Sequence, residues 1–444
     1  MSEPVTVAVA TLGCRLNQVE SQEMGALLEG HGFRVVPPGA PAEVCVVNTC
    51  TVTGRADFSD RQLIRRLARE HPGAQLVVTG CYAQTDPRAA AALAGVDLVV
   101  GNHEKYRLPE LLASLAMRPR SPSPEIVVGD IQAVRAVPVA PFARVTGRSR
   151  AFVKIQDGCQ HRCAFCIVPT ARGRSRSQEP KVVVDQARTL TEAGYRDLTL
   201  TGVDIGHYGW DLYPRTTLAA LVHRLAEVPE LRWLRLSSVL PAYFTPELIR
   251  AVTTLPVVAP HLHLPLQSGS DRVLRLMRRP YNTRMYRALV ERLAGAIPDL
   301  GLGADVIVGH PGETDGDFEE TVRLVDALPF SYLHVFAYSD RRGTEATRLP
   351  GRVGPAAIRE RSRVLRRLAR EKSAAFRRRL IGSHREVHVL ETRDRRTGLL
   401  AGLTSNYVEV LFEGPDSLGR RIVPLRIAEV RGERTYGQLV EAGA

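Results

Sequence analysis

Lysine is scarce in this chain: of 60 basic residues only Lys105, Lys154, Lys181 and Lys372 are not arginine. A compositional bias toward arginine explains which base is used. It does not explain why 60 basic residues outnumber 47 acidic ones. Long apolar runs are also missing, and no uncharged stretch is long enough to span a bilayer. The start, MSEPVTVAVATLGC, lacks the basic n-region of a signal peptide, and its apolar stretch reads as a strand. These absences predict a cytoplasmic chain with no membrane partner. Cysteine is sparse and odd in number, at seven. Without an export signal that argues against a disulfide framework and leaves metal ligation or catalysis for clustered thiols. No internal repeat is visible.

What remains is a chain of 444 residues, 44% of them hydrophobic, enough for about two to four domains. The net charge of +13 is the footprint of a polyanionic partner. A merely solvated basic surface is the alternative reading at this point.

Residues 1–117 alternate strand-like runs (VTVAVATLG, EVCVVNTC, QLVVTGC, VDLVVG) with helical ones such as RQLIRRLAREH, which predicts a parallel α/β sheet domain. Residues 118–149 read as a linker with one short strand, EIVVGDI, because Pro119, Pro122, Pro124, Pro138 and Pro141 break any helix. From 150 the alternation resumes in six βα units, with strands AFVKIQ, DLTLTG, WLRLSS, HLHLPL, ADVIVG and YLHVFAY. Six units fit a partial (β/α)6 barrel whose chemistry lies at the C-terminal strand ends. A long basic helix over 355–381 closes the central domain (150–381), with Ile358, Leu365, Leu368, Phe376 and Leu380 as its apolar stripe. Its arginines fit RNA contact or a solvated face equally well. Residues 382–444 switch to period two and predict a small antiparallel β-barrel. The fold class is thus multidomain α/β.

Cys159, Cys163 and Cys166 lie in DGCQHRCAFC, directly after a predicted strand. Three thiolates in one tight loop can hold three irons of a [4Fe–4S] cluster and leave the fourth without a protein ligand. An open iron can take the amino and carboxylate groups of S-adenosylmethionine (SAM). The spacing resembles the signature of the radical SAM superfamily, and Phe165 fits the usual aromatic before the last cysteine. Zinc is the alternative, with His161 in the loop as its fourth ligand. SAM-pocket candidates follow successive strands: Gly202 in TGVDIG, Ser237 in LSS, Gln267 in PLQSGSD, and Gly309 and Glu313 in VIVGHPGET.

Cys14, Cys50 and Cys81 follow no spacing rule, but each ends a predicted strand of one parallel sheet. Parallel strands bring those ends to one edge. A second [4Fe–4S] cluster with one open iron is one reading, and three unrelated thiols the other. Cys45, mid-strand, reads as a small buried apolar residue.

Over its full length the chain resembles the radical SAM methylthiotransferases: an N-terminal methylthiotransferase domain, a radical SAM domain and a small RNA-binding barrel called TRAM. The matching residues are GCRLN (13–17), NTC (48–50), GC (80–81), KIQDGCQHRCAFC (154–166), ARGRSRS (171–177), PLQSGSD (265–271) and GHPGET (309–314). TLGCRLNQVE, NTCTVTGRAD, GCYAQ and LTGVDIGHYG are similar to the branch acting on N6-threonylcarbamoyladenosine. The chain departs from the usual pattern at Thr170, Leu240 and His310, where tyrosine, glutamate and an aromatic are frequent.

The resemblance implies SAM used twice. One SAM methylates a sulfur at the Cys14/Cys50/Cys81 auxiliary cluster. A second is cleaved at the Cys159/Cys163/Cys166 cluster, and its radical takes the C2 hydrogen of the adenine beside the anticodon. No catalytic side chain beyond the six ligands is implied. The implied partners are the tRNA anticodon stem-loop, an electron donor of flavodoxin or ferredoxin type, and a sulfur donor. Arg172, Arg174 and Arg176 beside the cluster loop, and Arg385, Arg420 and Arg421 on the barrel, are the candidate phosphate contacts. Competing readings are the same chemistry on isopentenyladenosine or a ribosomal-protein aspartate, and a non-catalytic, metal-containing RNA-binding protein.

Overall fold

The computed structural model describes residues 3–116, 121, 123–143 and 148–440. Pro119 and Pro122 of the expected linker lie outside the described residues. The first unit is a six-stranded sheet of β1 (Thr6–Thr11), β2 (Arg34–Val36), β3 (Val44–Thr49), β4 (Gln75–Gly80), β5 (Leu98–Val100) and β6 (Glu125–Val127). Its order is β2-β1-β3-β4-β5-β6, and every pairing is parallel. Val44, Val46 and Val47, like Val77 and Val78, are buried because helices cover both faces, so these strands read as continuous apolar runs. Helix α1 (Arg15–Gly30) follows β1, α2 (Gly54–Glu70) follows β3, and the short α3 (Cys81–Thr85) follows β4.

Strand β6 corrects the linker assignment. Leu98 pairs with Glu125 and Val100 with Val127, so the sheet continues past residue 117 and takes its last strand from the proline-rich stretch. An exposed edge strand of three residues carries too little apolar patterning to announce its sheet.

The second unit holds six parallel strands: β7 (Ala151–Lys154), then, after the short β8 (Gln156–Asp157) and β9 (Arg176–Ser177), β10 (Asp197–Thr201), β11 (Trp233–Leu236), β12 (His261–His263), β13 (Gly301–Val308) and β14 (Tyr332–Ala337). They run β7-β10-β11 and β12-β13-β14, joined by a bridge between Leu234 and Val258. This is an open half-barrel. The long helix, Pro355–Arg379, lies along β14 with Leu365, Ala369 and Phe376 buried. Its stripe faces inward, and Arg361 and Arg377 are buried as well.

The last unit is a closed barrel of β15 (His384–Val389), β16 (Leu400–Thr404), β17 (Glu409–Phe412), β18 (Ile422–Arg431) and β19 (Arg434–Leu439). Four pairings are antiparallel, but β17 and β19 run parallel. A closed ring of strands alternating in direction needs an even number, so five strands force one parallel seam. The turn between β16 and β17 inserts into the bottom of the half-barrel. Asn406 Nδ2 donates to Asp299 O at 3.0 Å, and Arg235, paired with Asp197, donates to Ser405 O and Thr404 O. Tyr407 stacks on His261 with ring centres 4.1 Å apart and accepts a 2.8 Å bond from Arg15. Among the described residues no helix is long and apolar enough to cross a membrane.

Candidate active site

Gln156 and Asp157 pair with Ser177 and Arg176, a two-residue ladder that pins both ends of the loop carrying Cys159, Cys163 and Cys166. Cys166 N donates to Cys163 O at 3.1 Å, closing those two cysteines into one turn, while Cys159 N donates to Gly173 O at 3.0 Å and ties the start of the loop to the segment ahead of β9. Gly158 has φ +72°, and a Cβ there would lie 2.0 Å from Arg174 O, so the loop needs glycine at this point. Burial pushes the Cys159 thiol upward, helped by the Asp204 carboxylate, and pushes Cys166 up to about 11 with help from Cys163. Arg279 Nη1 donates to Cys163 Sγ at 3.2 Å. Thiols that crowd one another this way gain by binding a cationic cluster core.

Sequence reasoning did not single out Gln156, which organises the loop. Its amide nitrogen donates to Asp157 O, Gly158 O and Ser175 Oγ, and its oxygen accepts from Val203 N and Asp204 N. A Cβ at Gly202 would strike Gln156 O and Oε1 at 2.8 Å, which is the reason for glycine after β10. A neutral polar residue at a strand end was the available signal.

The other pocket candidates also fall at strand ends. Ser237 is buried after β11, and Gln267, at φ +66°, follows β12. Gly309 and Glu313 sit in the loop after β13, where Glu313 accepts from Gly309 N at 2.7 Å and from Arg361 at 2.7 Å. Both Glu313 oxygens are thereby engaged as loop braces. Phe165 meets His310 edge-on at 6.3 Å. Buried Gln267 Oε1, His310 Nε2 and Arg279 Nη2 have no protein partner. Orphaned buried polar atoms cost about 1–3 kcal/mol each; Arg279, which also holds Cys163, and His310, which meets Phe165, set a free donor and a free acceptor beside the thiol loop, which fits a polar ligand with both, as SAM has. His310 Nδ1 donates to Pro311 O, and burial lowers the ring's pKa to about 4, leaving Nε2 an acceptor.

The first triad comes from three strand ends. The register Thr11–Asn48–Thr79 sets Cys14, Cys50 and Cys81 along one edge of the sheet. Cys14 caps α1, and Cys81 opens α3. A Cβ at Gly13 (φ +100°) would lie 2.5 Å from Cys50 Cβ and 2.9 Å from its Sγ, so these two loops touch. Burial and the nearby Cys81 and Cys14 push the Cys50 thiol up to about 12. Burial likewise raises Cys81, with Arg172 opposing and Cys14 adding to the rise. Each thiol therefore stands in the others' field. Cys45 is buried in the apolar core of the sheet, away from this edge. Among the described residues no three His, Cys, Asp or Glu side chains close on one ion position. A cubane takes one thiolate per iron corner, so its ligands need not converge on a point.

The two cysteine sites meet at a seam. Asn102 Nδ2 lies 3.8 Å from Cys81 Sγ and donates to Ala171 O at 2.7 Å, in the short helix that follows Cys166. Arg172 donates to Asn17 Oδ1 at 2.7 Å, and Asn17 Nδ2 donates to Leu12 O and Thr49 O, just ahead of Cys14 and Cys50. At the other edge of the half-barrel Arg341 bonds Thr51 and Asp57, and Gly54 N donates to Ser339 Oγ. The first sheet thus covers the open side of the half-barrel between β7 and β14.

The candidate phosphate contacts divide. Arg172 and Arg176 are buried and paired with Glu20 and Asp157, which corrects their expected role: neither guanidinium is free for a phosphate. Arg174 between them is exposed. Arg385 pairs with Asp299 and Arg420 lies 4.6 Å over the Tyr195 ring, so both fasten the barrel to the half-barrel. Arg421 is exposed.

A cysteine loop after the first strand of a six-strand half-barrel, with a ligand cradle at the following strand ends, defines a radical SAM enzyme. The Radical SAM superfamily model matches residues 153–325, and the uncharacterized protein family UPF0004 matches residues 6–101. The chain is 36% identical over 439 residues to the threonylcarbamoyladenosine tRNA methylthiotransferase MtaB of Bacillus subtilis, covering 98% of this chain and 96% of that one. It is 35% identical over 443 residues to the tRNA-2-methylthio-N(6)-dimethylallyladenosine synthase of Moorella thermoacetica, covering 98% of both. Among solved structures it resembles the radical SAM methyltransferase TsrM of Kitasatospora setae with tryptophan and aza-SAM bound. That match has a TM-score of 0.55 at 16% identity and covers 74% of this chain and 72% of that one, a likeness of fold. The chain belongs to the radical SAM methylthiotransferase family and is an enzyme of that class. Membership implies SAM and a [4Fe–4S] cluster.

Proposed function

We infer that this enzyme transfers a methylthio group to C2 of N6-threonylcarbamoyladenosine beside the anticodon of tRNA, using SAM and two [4Fe–4S] clusters. Cys159, Cys163 and Cys166 would hold the first cluster and Cys14, Cys50 and Cys81 the second. Bound there, the cofactors supply one-electron chemistry able to reach an adenine C2–H bond, which has no useful acidity for a general base. The observation that carries this reading is the seam, where a second thiol triad lies against the loop of the first. Methylthio transfer needs a sulfur source next to the site where the hydrogen is removed.

The chain's own residues supply position and enclosure. Gln267, His310 and Arg279 offer one acceptor, one acceptor and one donor to SAM, and Phe165, Gly202, Ser237, Gly309 and the Glu313-braced loop shape that pocket. Exposed Arg174 and Arg421 would contact phosphate. An electron donor of flavodoxin or ferredoxin type and a sulfur donor complete the cycle.

Anaerobic reconstitution with SAM, a reductant and tRNA of both kinds, followed by nucleoside mass spectrometry, tests the reading. The methylthio product should appear on threonylcarbamoyladenosine. Product only on isopentenyladenosine overturns the substrate, and zinc without sulfide in the purified protein overturns the enzyme chemistry.

A further inference from the structure

Between the two cysteine sites lies a buried ionic network that the chemistry above does not use. Glu20, on α1, is fully buried and accepts from Lys105 at 2.5 Å, Lys154 at 3.1 Å and Arg172 at 2.8 Å. Asp157, two residues before Cys159, accepts from Arg172 at 3.0 Å and faces Arg176 at 3.3 Å and Lys154 at 3.6 Å. Glu23 completes the set through Tyr106, whose hydroxyl donates to Glu23 and accepts from Lys154. The side chains of Lys105, Lys154, Arg172 and Arg176 are 0%, 2%, 3% and 4% exposed.

Four cations thus face three carboxylates. A surplus charge held this far from water is costly unless an anion stands beside it. The network's edge shows where that anion belongs. Lys105 donates to Asn102 Oδ1 at 3.0 Å, and Asn102 reaches Cys81 Sγ. Arg172 donates to Asn17, which lies 3.8 Å from Cys14 Sγ and ties down the backbone ahead of Cys14 and Cys50. A [4Fe–4S] core ligated by three thiolates is a net anion, and nearby charge and hydrogen bonds to sulfur set its potential.

We propose that Arg172 and Lys105 are the built-in counter-charge of a cluster at Cys14, Cys50 and Cys81, and that with Glu20 they position its ligand loops and set its reduction potential. This rests on the reading of that triad as cluster ligands. They are positioning residues, acting through Asn17 and Asn102 rather than on substrate.

The test uses the full chain with Cys159→Ala, Cys163→Ala and Cys166→Ala, so that only the first triad can carry a cluster. After anaerobic reconstitution, iron and sulfide are counted and the midpoint potential is read by redox titration followed by electron paramagnetic resonance. Arg172→Gln and Lys105→Met should lower the potential, Glu20→Gln should raise it, and Arg172→Lys should stay near the parent. A merely structural network predicts no such opposition of sign. Shifts of one sign in all variants, or equal potentials for Arg172→Gln and Arg172→Lys at equal iron content, overturn the proposal. If Arg172→Gln does not fold, the pair Lys105→Met and Glu20→Gln still decides the sign. A parent that takes up no iron and sulfide overturns the cluster reading, and this inference with it.

Discussion

Cys159, Cys163 and Cys166 share one loop, whereas Cys14, Cys50 and Cys81 are gathered from the ends of three strands. The shared loop takes its shape from nearby residues, the Gln156 amide, the two-residue ladder and Gly158, and is held to the rest of the half-barrel through Arg279 on Cys163 and the backbone of Ala164. The gathered triad exists only because β1, β3 and β4 lie side by side in register. A site whose ligands share one segment does not depend on strand order to bring them together. A gathered one reports on the whole sheet and on Asn17, whose amide binds two of its loops.

Substitutions at the ligands should separate the two sites most sharply. Cys163→Ala should reduce both SAM cleavage and methylthio transfer to background. Cys81→Ala should abolish transfer while 5′-deoxyadenosine still forms, as chromatography of the small-molecule products will show. Loss of both activities in Cys81→Ala would remove the distinction.

Alanine at the two glycines is the next contrast. Gly13→Ala and Gly158→Ala each force a side chain into positive φ and into contact with neighbouring atoms, at a cost of about 1–3 kcal/mol or more. Iron analysis should show Gly13→Ala losing iron from the gathered triad alone and Gly158→Ala from the shared loop alone. Equal loss at both sites in either variant would mean that the sites are not independently built.

A pH effect of similar or smaller size belongs to the shared-loop side. His310 is buried with its pKa lowered to about 4 from an ordinary value near 6.5. The unfolded chain takes up a proton below about 6.5 while the folded one resists until about 4, so stability is lost as pH falls through that window. The full effect is about 3 kcal/mol. Thermal unfolding of His310→Phe against the parent between pH 7 and 4 should show a flatter acid limb, and parallel curves would refute it. The smallest expected effect is at the RNA surface. Arg421→Ala should weaken tRNA binding a few-fold and make it less salt-dependent, while leaving both cysteine sites loaded.

The same contrast explains what could be read from the chain. The shared loop is legible because its three cysteines keep a fixed spacing after a strand. The gathered triad is legible only through strand order, which periodicity in VTVAVATLG, EVCVVNTC and QLVVTGC supplied. The six strands of the half-barrel were visible for the same reason. The ionic network was not seen, because Glu20, Lys105, Lys154 and Arg172 are far apart in sequence and look like ordinary surface charges. A signal existed: Lys105 and Lys154 are two of only four lysines, and Lys154 sits inside the apolar run AFVKIQ. Arg172 and Arg176 were misassigned to phosphate because an arginine-rich motif does not reveal which side chains turn inward. The exposed Arg174 between them shows the alternation that decides it.

Tyr407 and its turn stop the lower mouth of the half-barrel, yet they lie later in the chain than all six strands they seal. During synthesis the half-barrel therefore leaves the ribosome with an open base and is corked only once the terminal barrel has folded. Metal loading before that moment would face water from below even with the first sheet already over the open side, so the completed cork marks the earliest point at which the interior is sheltered.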